Sequence, residues 1–274
     1  MDAFIGPVEN SLLATPSDRY LFYWRMVSDT GAGTLCTDIS GKGNHSVSFG
    51  TASTPGQLLT QPTCWTTNPG YLTMATKSNA VGDFTSLAMA TFNANWNYAN
   101  GDSFLLHIRG KFTLPGSDLP LFGTGVSSSR PGFKGIVKAT SGGASAPAGR
   151  LIVGFYPSSG SNVFINDTNV AIAAASPTDV SVALFVNGQA RTADIYVNGV
   201  ANRQNESIAA QDYTAVRDLV IGGCINFTNY DGIDSQVSEA QCLVWSRDAP
   251  SNPAHLAALL HAVPFRRLTI TDAP

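Results

Sequence analysis

Apolar and polar residues alternate with a period of two along much of the chain, most clearly over residues 179–207. Val180, Val182, Leu184 and Val186 share one parity, and Ala193, Ile195 and Val197 share another run. Such a period puts one row of side chains in a core and the other in water, which marks a β-strand. Each run ends in Asn-Gly, at 187–188 and at 198–199. That pair accepts the positive φ angles of a type I′ turn, whose twist matches the strands it joins. The spacing predicts three antiparallel strands in a meander.

The same period recurs elsewhere. Residues 20–27 place Tyr20, Phe22, Trp24 and Met26 on one face, a bulky stripe suited to a sheet interior. Residues 103–112 alternate Phe104, Leu106 and Ile108 against Ser103, Leu105, His107 and Arg109. His107 therefore belongs to the wetter face, and no acid or thiol stands near it in sequence. Leu151 to Tyr156, Asp218 to Gly223, and residues 238–245 with Ala240, Cys242 and Val244 on one side, read as further strands. Residues 115–150 are rich in Pro, Gly and Ser and read as a loop-bearing region, with strand-like patches only at 119–122 and 135–138. One helix is expected. Ser251 or Asn252 caps it, Pro253 opens it, and Leu256, Leu259, Leu260 and Val263 make its apolar stripe before Pro264 stops it. Residues 1–19 read as an amino-terminal arm, 20–263 as the domain, and 264–274 as a tail or edge strand.

Composition narrows the function classes. Charged residues make up only 13% of the 274, with Ser, Thr, Asn and Gly in their place, as in extracellular, adhesive and particle-bound β proteins. A net charge of −3 leaves no electrostatic footprint for nucleic acid or an anionic membrane. The first ten residues lack a basic region and an apolar stretch, so no signal peptide is expected, and no run is long enough to span a membrane. Cys36, Cys64, Cys224 and Cys242 have no metal-binding spacing, and their pairing stays open. The sequons at Asn44, Asn166, Asn205 and Asn226 read as by-products of the composition.

Asp38-x-Ser-Gly-x-Gly-Asn44-His45 admits two readings. One is a tight loop in which Asp and Ser accept backbone N–H bonds. The other is a calcium site using Asp38, Asn44 and carbonyls, for which one carboxylate is thin. No other cofactor is expected.

The order of motifs carries a resemblance: the Trp24 strand, the Asp38–His45 loop, the strand from Ser103, Ile195-Tyr-Val-Asn-Gly199, Leu219-Val-Ile-Gly-Gly223, and Val244-Trp245 leading to the helix. Together they resemble the laminin-G-like, concanavalin-A-like jelly-roll family over about residues 20–263. The resemblance implies an all-β, two-sheet antiparallel jelly-roll sandwich with one short C-terminal helix. It also covers lectin-like modules, adhesion domains, glycoside hydrolases and bacteriophage virion domains.

Three functions compete. Family hydrolases set carboxylates on one strand face, but Glu9, Glu206 and Glu239 are far apart, and Asp231 and Asp234 have odd spacing, so no enzyme is expected. A carbohydrate-binding module would use loop aromatics and amides, with Trp96, Tyr98, Asn226, Asn229, Tyr230 and Asp231 as candidates and a cell-surface glycan as partner. The expected reading is a non-enzymatic virion protein, capsid decoration or tail-associated, made in the host cytoplasm. It would pair with other virion proteins or with itself, as trimers for example, and sugar binding would be an added property.

Overall fold

The computed structural model describes residues 19–26, 36–46, 48–52, 72–74, 77–80, 82–124, 131–139, 147–165, 168–208, 213, 215, 218–226 and 229–262. The arm up to residue 18, Cys64, Asn166, Val263 and the tail at 264–274 lie outside them. In chain order the strands begin with β1 (Tyr20–Arg25), β2 (Ser48–Ala52), β3 (Leu72–Met74), β4 (Lys77–Ala80), β5 (Gly82–Leu87) and β6 (Ser103–Thr113). Then come β7 (Leu119–Gly123), β8 (Gly132–Val137), β9 (Leu151–Tyr156), β10 (Val163–Ile165), β11 (Ala173–Ala174) and β12 (Asp179–Asn187). The last are β13 (Thr192–Val197), β14 (Val200–Ser207), β15 (Leu219–Ile221), β16 (Gly223–Asn226), β17 (Asn229–Gly232) and β18 (Ser235–Trp245). Among the described residues two helices accompany them, α1 (Met89–Asn95) and α2 (Pro253–Ala262), with a 3-10 turn at Tyr98–Asn100.

An eight-stranded sheet runs β1-β18-β6-β12-β13-β14, with β3 on β18 and β11 on β6. A seven-stranded sheet runs β10-β9-β8-β7-β15-β5-β2, and a three-stranded sheet β16-β17-β4 completes the set. The two large sheets pack face to face as the expected all-β sandwich. Inward rows meet in one core: Phe22, Trp24, Phe104, Leu106, Ile108, Leu184, Ile195 and Cys242 from the first sheet, and Leu121, Phe133, Val153, Phe155 and Ile221 from the second. Burial drives the Cys242 thiol pKa upward, so it stays a protonated thiol.

The meander of β12, β13 and β14 forms as the alternation predicts. Its turns differ. Val197 pairs with Val200, and Asn198 (φ 52°) and Gly199 (φ 73°) make the expected tight turn. At the first Asn-Gly, Asn187 pairs instead with Thr192, which lengthens the connection to residues 188–191 and puts the positive φ on Arg191. Gly188 serves close approach there: a Cβ would strike the Asp102 carbonyl and the Gly101 backbone.

Three further differences matter. β1 has a register shift between Tyr20 and Phe22, so Tyr20 leaves the inward row of Phe22 and Trp24 and stacks on Tyr23 at 5.9 Å. Residues 115–150 are more than a loop region, because β7 and β8 lie inside the seven-stranded sheet and Phe133 sits in the core. α1 joins the one expected helix; Phe92 on it packs against Trp96, Phe104 and Phe133. The expected α2 forms, with Asn252 Oδ1 accepting the His255 N–H at 2.9 Å as its cap.

Candidate functional site

Each large sheet has an outer face turned away from the core, and the two are treated differently. On the eight-stranded sheet the outward residues Tyr23 on β1, Leu105, His107 and Arg109 on β6, Ser181, Ala183 and Phe185 on β12, Tyr196 on β13, and Glu239, Gln241, Leu243 and Trp245 on β18 are buried, whereas Arg25, Lys111 and Asp179 at the strand ends are not. Helix α2 covers part of this face with Leu256, Ala257 and Leu260. Arg109 fastens it, donating to the Leu260 carbonyl at 3.4 Å and to the His261 carbonyl, and pairing with Asp179 at 3.0 Å. A guanidinium at a helix C-terminus also meets the negative end of its dipole.

Beneath lies a polar network assembled by strand register. Gln241 sits opposite His107 across β18 and β6. The Tyr20 hydroxyl donates to Gln241 Oε1 at 3.1 Å, Gln241 Nε2 donates to Glu239 Oε1 at 3.2 Å, and the Tyr23 hydroxyl donates to Glu239 Oε2 at 3.4 Å. His107 Nδ1 lies 3.4 Å from Glu239, with both side chains 1% exposed. Sequence reasoning put His107 on a wetter face with no acid nearby; the acid comes from a strand distant in sequence, and the face is covered. Burial, followed by the charges of Arg109 and His261, pushes the His107 pKa down to about 3, so the ring is neutral at pH 7. Burial likewise raises the Tyr23 hydroxyl, with Glu239 adding to it. Asp231 belongs to the three-stranded sheet, so it forms no carboxylate cluster with Glu239.

The outer face of the seven-stranded sheet is open in part. Inward Phe133 and Val137 on β8 are buried, whereas outward Lys134 and Ile136 are half-buried, and Ile152 on β9 likewise. Register aligns Phe164 on β10 with Gly154 on β9, and Gly154 with Lys134 on β8. Phe164 is 51% exposed, among the most exposed large apolar side chains of the described residues. Its ring stands at 90° to Tyr156, with centroids 5.8 Å apart. Gly154 makes room for both: a Cβ there would lie 2.8 Å from the Tyr156 hydroxyl and 2.9 Å from Phe164 Cε1. Lys134 Nζ lies 5.2 Å from the centre of the Tyr156 ring, and among the described residues no carboxylate pairs with it. Burial raises the Tyr156 hydroxyl pKa, and the Cys224 thiol adds to the shift. The strip was missed in the sequence; its one signal is a glycine inside the strand Leu151–Tyr156.

The residues expected to bind sugar separate into two groups. Trp96 (2% exposed) and Tyr98 (5%) are core residues. Trp96 packs edge-on against Phe104 at 5.0 Å and donates its indole N–H to the Asp102 carbonyl at 3.1 Å. Tyr98 packs edge-on against Tyr213 at 5.0 Å, and burial pushes its hydroxyl up to about 12. Neither ring offers a face to solvent, because α1 and the 3-10 turn fold them into the sandwich. The second group stays together on the β16–β17 hairpin, where Asn226 pairs with Asn229, Ile225 with Tyr230 and Cys224 with Asp231.

The loop holding Asp38 and Asn44 is built as a clamp. Asp38 Oδ1 accepts from the Tyr23 and Ser40 backbone N–H groups, and Oδ2 from the Ser40 hydroxyl and the Asn44 N–H, each at 2.9 Å. Asn44 donates its amide to the Leu21 carbonyl at 2.7 Å, and its own carbonyl accepts the Trp24 indole N–H. Both carboxylate oxygens are thus engaged by protein donors, and the arrangement ties the loop to β1 rather than gathering free oxygens for calcium.

No protein-family model matches the chain, and no curated protein matches it in sequence. Solved structures do match in fold. A Trypanosoma rangeli sialidase in complex with sialic acid aligns with a TM-score of 0.54 and 13% identity, covering 91% of this chain and 34% of its own. A botulinum neurotoxin type C structure, described as dependent on two ganglioside molecules for cell entry, aligns at 0.56 and 10%, covering 91% and 52%. The binding domain of Paraclostridial Mosquitocidal Protein 1 aligns at 0.53 and 12%, covering 89% and 52%. The chain therefore spans about a third of the sialidase and half of the two toxin chains. At these identities the likeness is one of fold alone, a β-sandwich.

Proposed function

We propose that this chain is a carbohydrate-binding module whose sugar docks on the open strip of the seven-stranded sheet. Phe164 carries the reading: half out of water, it stands over a glycine with a second aromatic ring edge-on beside it. A rigid exposed ring is the platform on which the C–H face of a pyranose stacks, and Ile136 and Ile152 extend the apolar floor. The fold supports the same reading, since the matching sialidase holds sialic acid and the matching neurotoxin engages gangliosides. A cell-surface glycan is the partner that follows. These similarities favour the lectin reading over a part in virion assembly, which draws no support from them.

We take the role to be binding without catalysis. The described side chains of the strip include no carboxylate pair, and the Glu239–His107 pair lies sealed on the opposite face. A glycan array probed with the wild-type chain and with Phe164→Ala tests the proposal. Truncating an aromatic anchor costs about 2 kcal/mol, or roughly 30-fold in affinity. The expected result is binding to a subset of glycans that Phe164→Ala abolishes. A blank array, or binding that Phe164→Ala leaves intact, contradicts it.

A further inference from the structure

We infer that the sugar taken by this strip carries a carboxylate, and that Lys134 is the group that meets it; the inference rests on the carbohydrate reading above. Phe164, Gly154 and Lys134 form one row across β10, β9 and β8. Adjacent strands lie about 4.8 Å apart, so the backbones of Phe164 and Lys134 are separated by roughly 10 Å. The residue between them has no side chain. The Tyr156 phenol and the Phe164 ring edge fill the space over it, so a ring stacked on Phe164 reaches along the Tyr156 ring to the Lys134 ammonium with a single acidic substituent.

Lys134 is suited to that contact because its charge is unspent. It is half-buried against the Tyr156 ring, whose face attracts a cation but does not neutralise it. Lys138, two outward positions along the same strand direction, is already paired with Asp118, and Arg109 on the other sheet with Asp179. Lys134 has no such partner among the described residues. The chain as a whole carries −3, so this cation is a local feature and not part of a generally basic surface. A partly desolvated ammonium without an anion is less favourable than one with it, and a ligand carboxylate supplies the missing half. A neutral sugar stacks on the same rings without that gain.

Matched acidic and neutral ligands separate the two. Affinity is measured by calorimetry for sialyllactose against lactose, and for polygalacturonate against its carboxyl-reduced form, with wild type, Lys134→Gln, Lys134→Arg and Phe164→Ala. Wild type is expected to prefer the acidic member of at least one pair by about three- to fivefold, the upper part of the range for a single partly exposed ion pair. The preference should shrink on raising salt. Lys134→Gln should bring the two members within about twofold while binding of the neutral member is kept, and Lys134→Arg should restore the preference. Phe164→Ala should weaken both members together. Equal binding of acidic and neutral members, or a preference that Lys134→Gln leaves standing, overturns the inference and leaves the carbohydrate reading in place. Absence of binding to every member of both pairs and to the glycan array removes both.

Discussion

On β6 the outward residues Leu105, His107 and Arg109 are as buried as the inward Phe104, Leu106 and Ile108. On β8 the outward Lys134 and Ile136 are half-buried while the inward Phe133 and Val137 are fully buried. Both strands sit inside their sheets, and both have a saturated ladder on either side. What differs is the cover. One outer face is sealed, with α2 among what seals it, and keeps a polar network out of water; the other is left open where a phenylalanine and a lysine flank a glycine. A sandwich that buries one of its outer faces as a second core leaves the other face available to a ligand. On the proposed function, the location of exposed aromatic area, and not the location of titratable groups, marks the binding surface.

The comparison breaks most visibly in stability. Leu105→Ala, on the sealed face, should cost about 2–5 kcal/mol, the range for a leucine deleted from a closed core. Ile152→Ala, on the open face, should cost less than half as much, because its site is already partly hydrated. Urea unfolding of the two variants measures the difference; equal losses would mean that the faces are not distinct. Next in size is the helix fastening. Arg109→Met removes hydrogen bonds from a charged donor to the Leu260 and His261 carbonyls and should cost about 2 kcal/mol. Amide exchange within Pro253–Ala262 should accelerate with it, and unchanged exchange there would show that α2 is held by its apolar face alone.

The sealed face should also be acid-sensitive in a way the open face is not. His107 titrates near 6.5 when unfolded and near 3 when folded, so the unfolded chain binds its proton first as pH falls. Stability from this group is complete above about 6.5 and declines between 6.5 and 3, at up to about 1.4 kcal/mol per pH unit. His261, also lowered by burial and by Arg109, acts in the same direction. His107→Gln should flatten the decline by nearly one proton's worth, read from urea midpoints at pH 7, 5 and 4. An identical slope in the variant would count against a neutral buried ring. The smallest expected effect is on the open face: Phe164→Ala should change stability by no more than about 0.5 kcal/mol. Gly154→Ala should weaken glycan binding severalfold, because its Cβ displaces the Tyr156 and Phe164 rings.

The longer strands were legible because period-two alternation is local: β6, β9, β12, β13 and β18, with the short β15, fall where the pattern places them. α2 was legible from its cap and stripe. The site was not, for three physical reasons. Alternation tells which residues share a face but not whether a second layer covers it, so His107 was assigned to a wet face. Contacts set by register, such as His107 with Glu239, depend on pairing between β6 and β18 that no local spacing encodes. Trp96-Asn-Tyr98 has the composition of a recognition loop, yet α1 and the following 3-10 turn drive both rings into the core. Phe164 lies on the three-residue strand β10, too short for a period to be read.

The most direct test of the account is a methyl-labelled NMR titration with a glycan that the wild-type chain binds. The methyl groups of Ile136 and Ile152 report the open strip, and those of Leu105 and Leu260 report the sealed face. The account predicts saturable shifts at Ile136 and Ile152 with Leu105 and Leu260 unmoved. Shifts at Leu105 and Leu260 with Ile136 and Ile152 unmoved would place the sugar on the opposite sheet and contradict it.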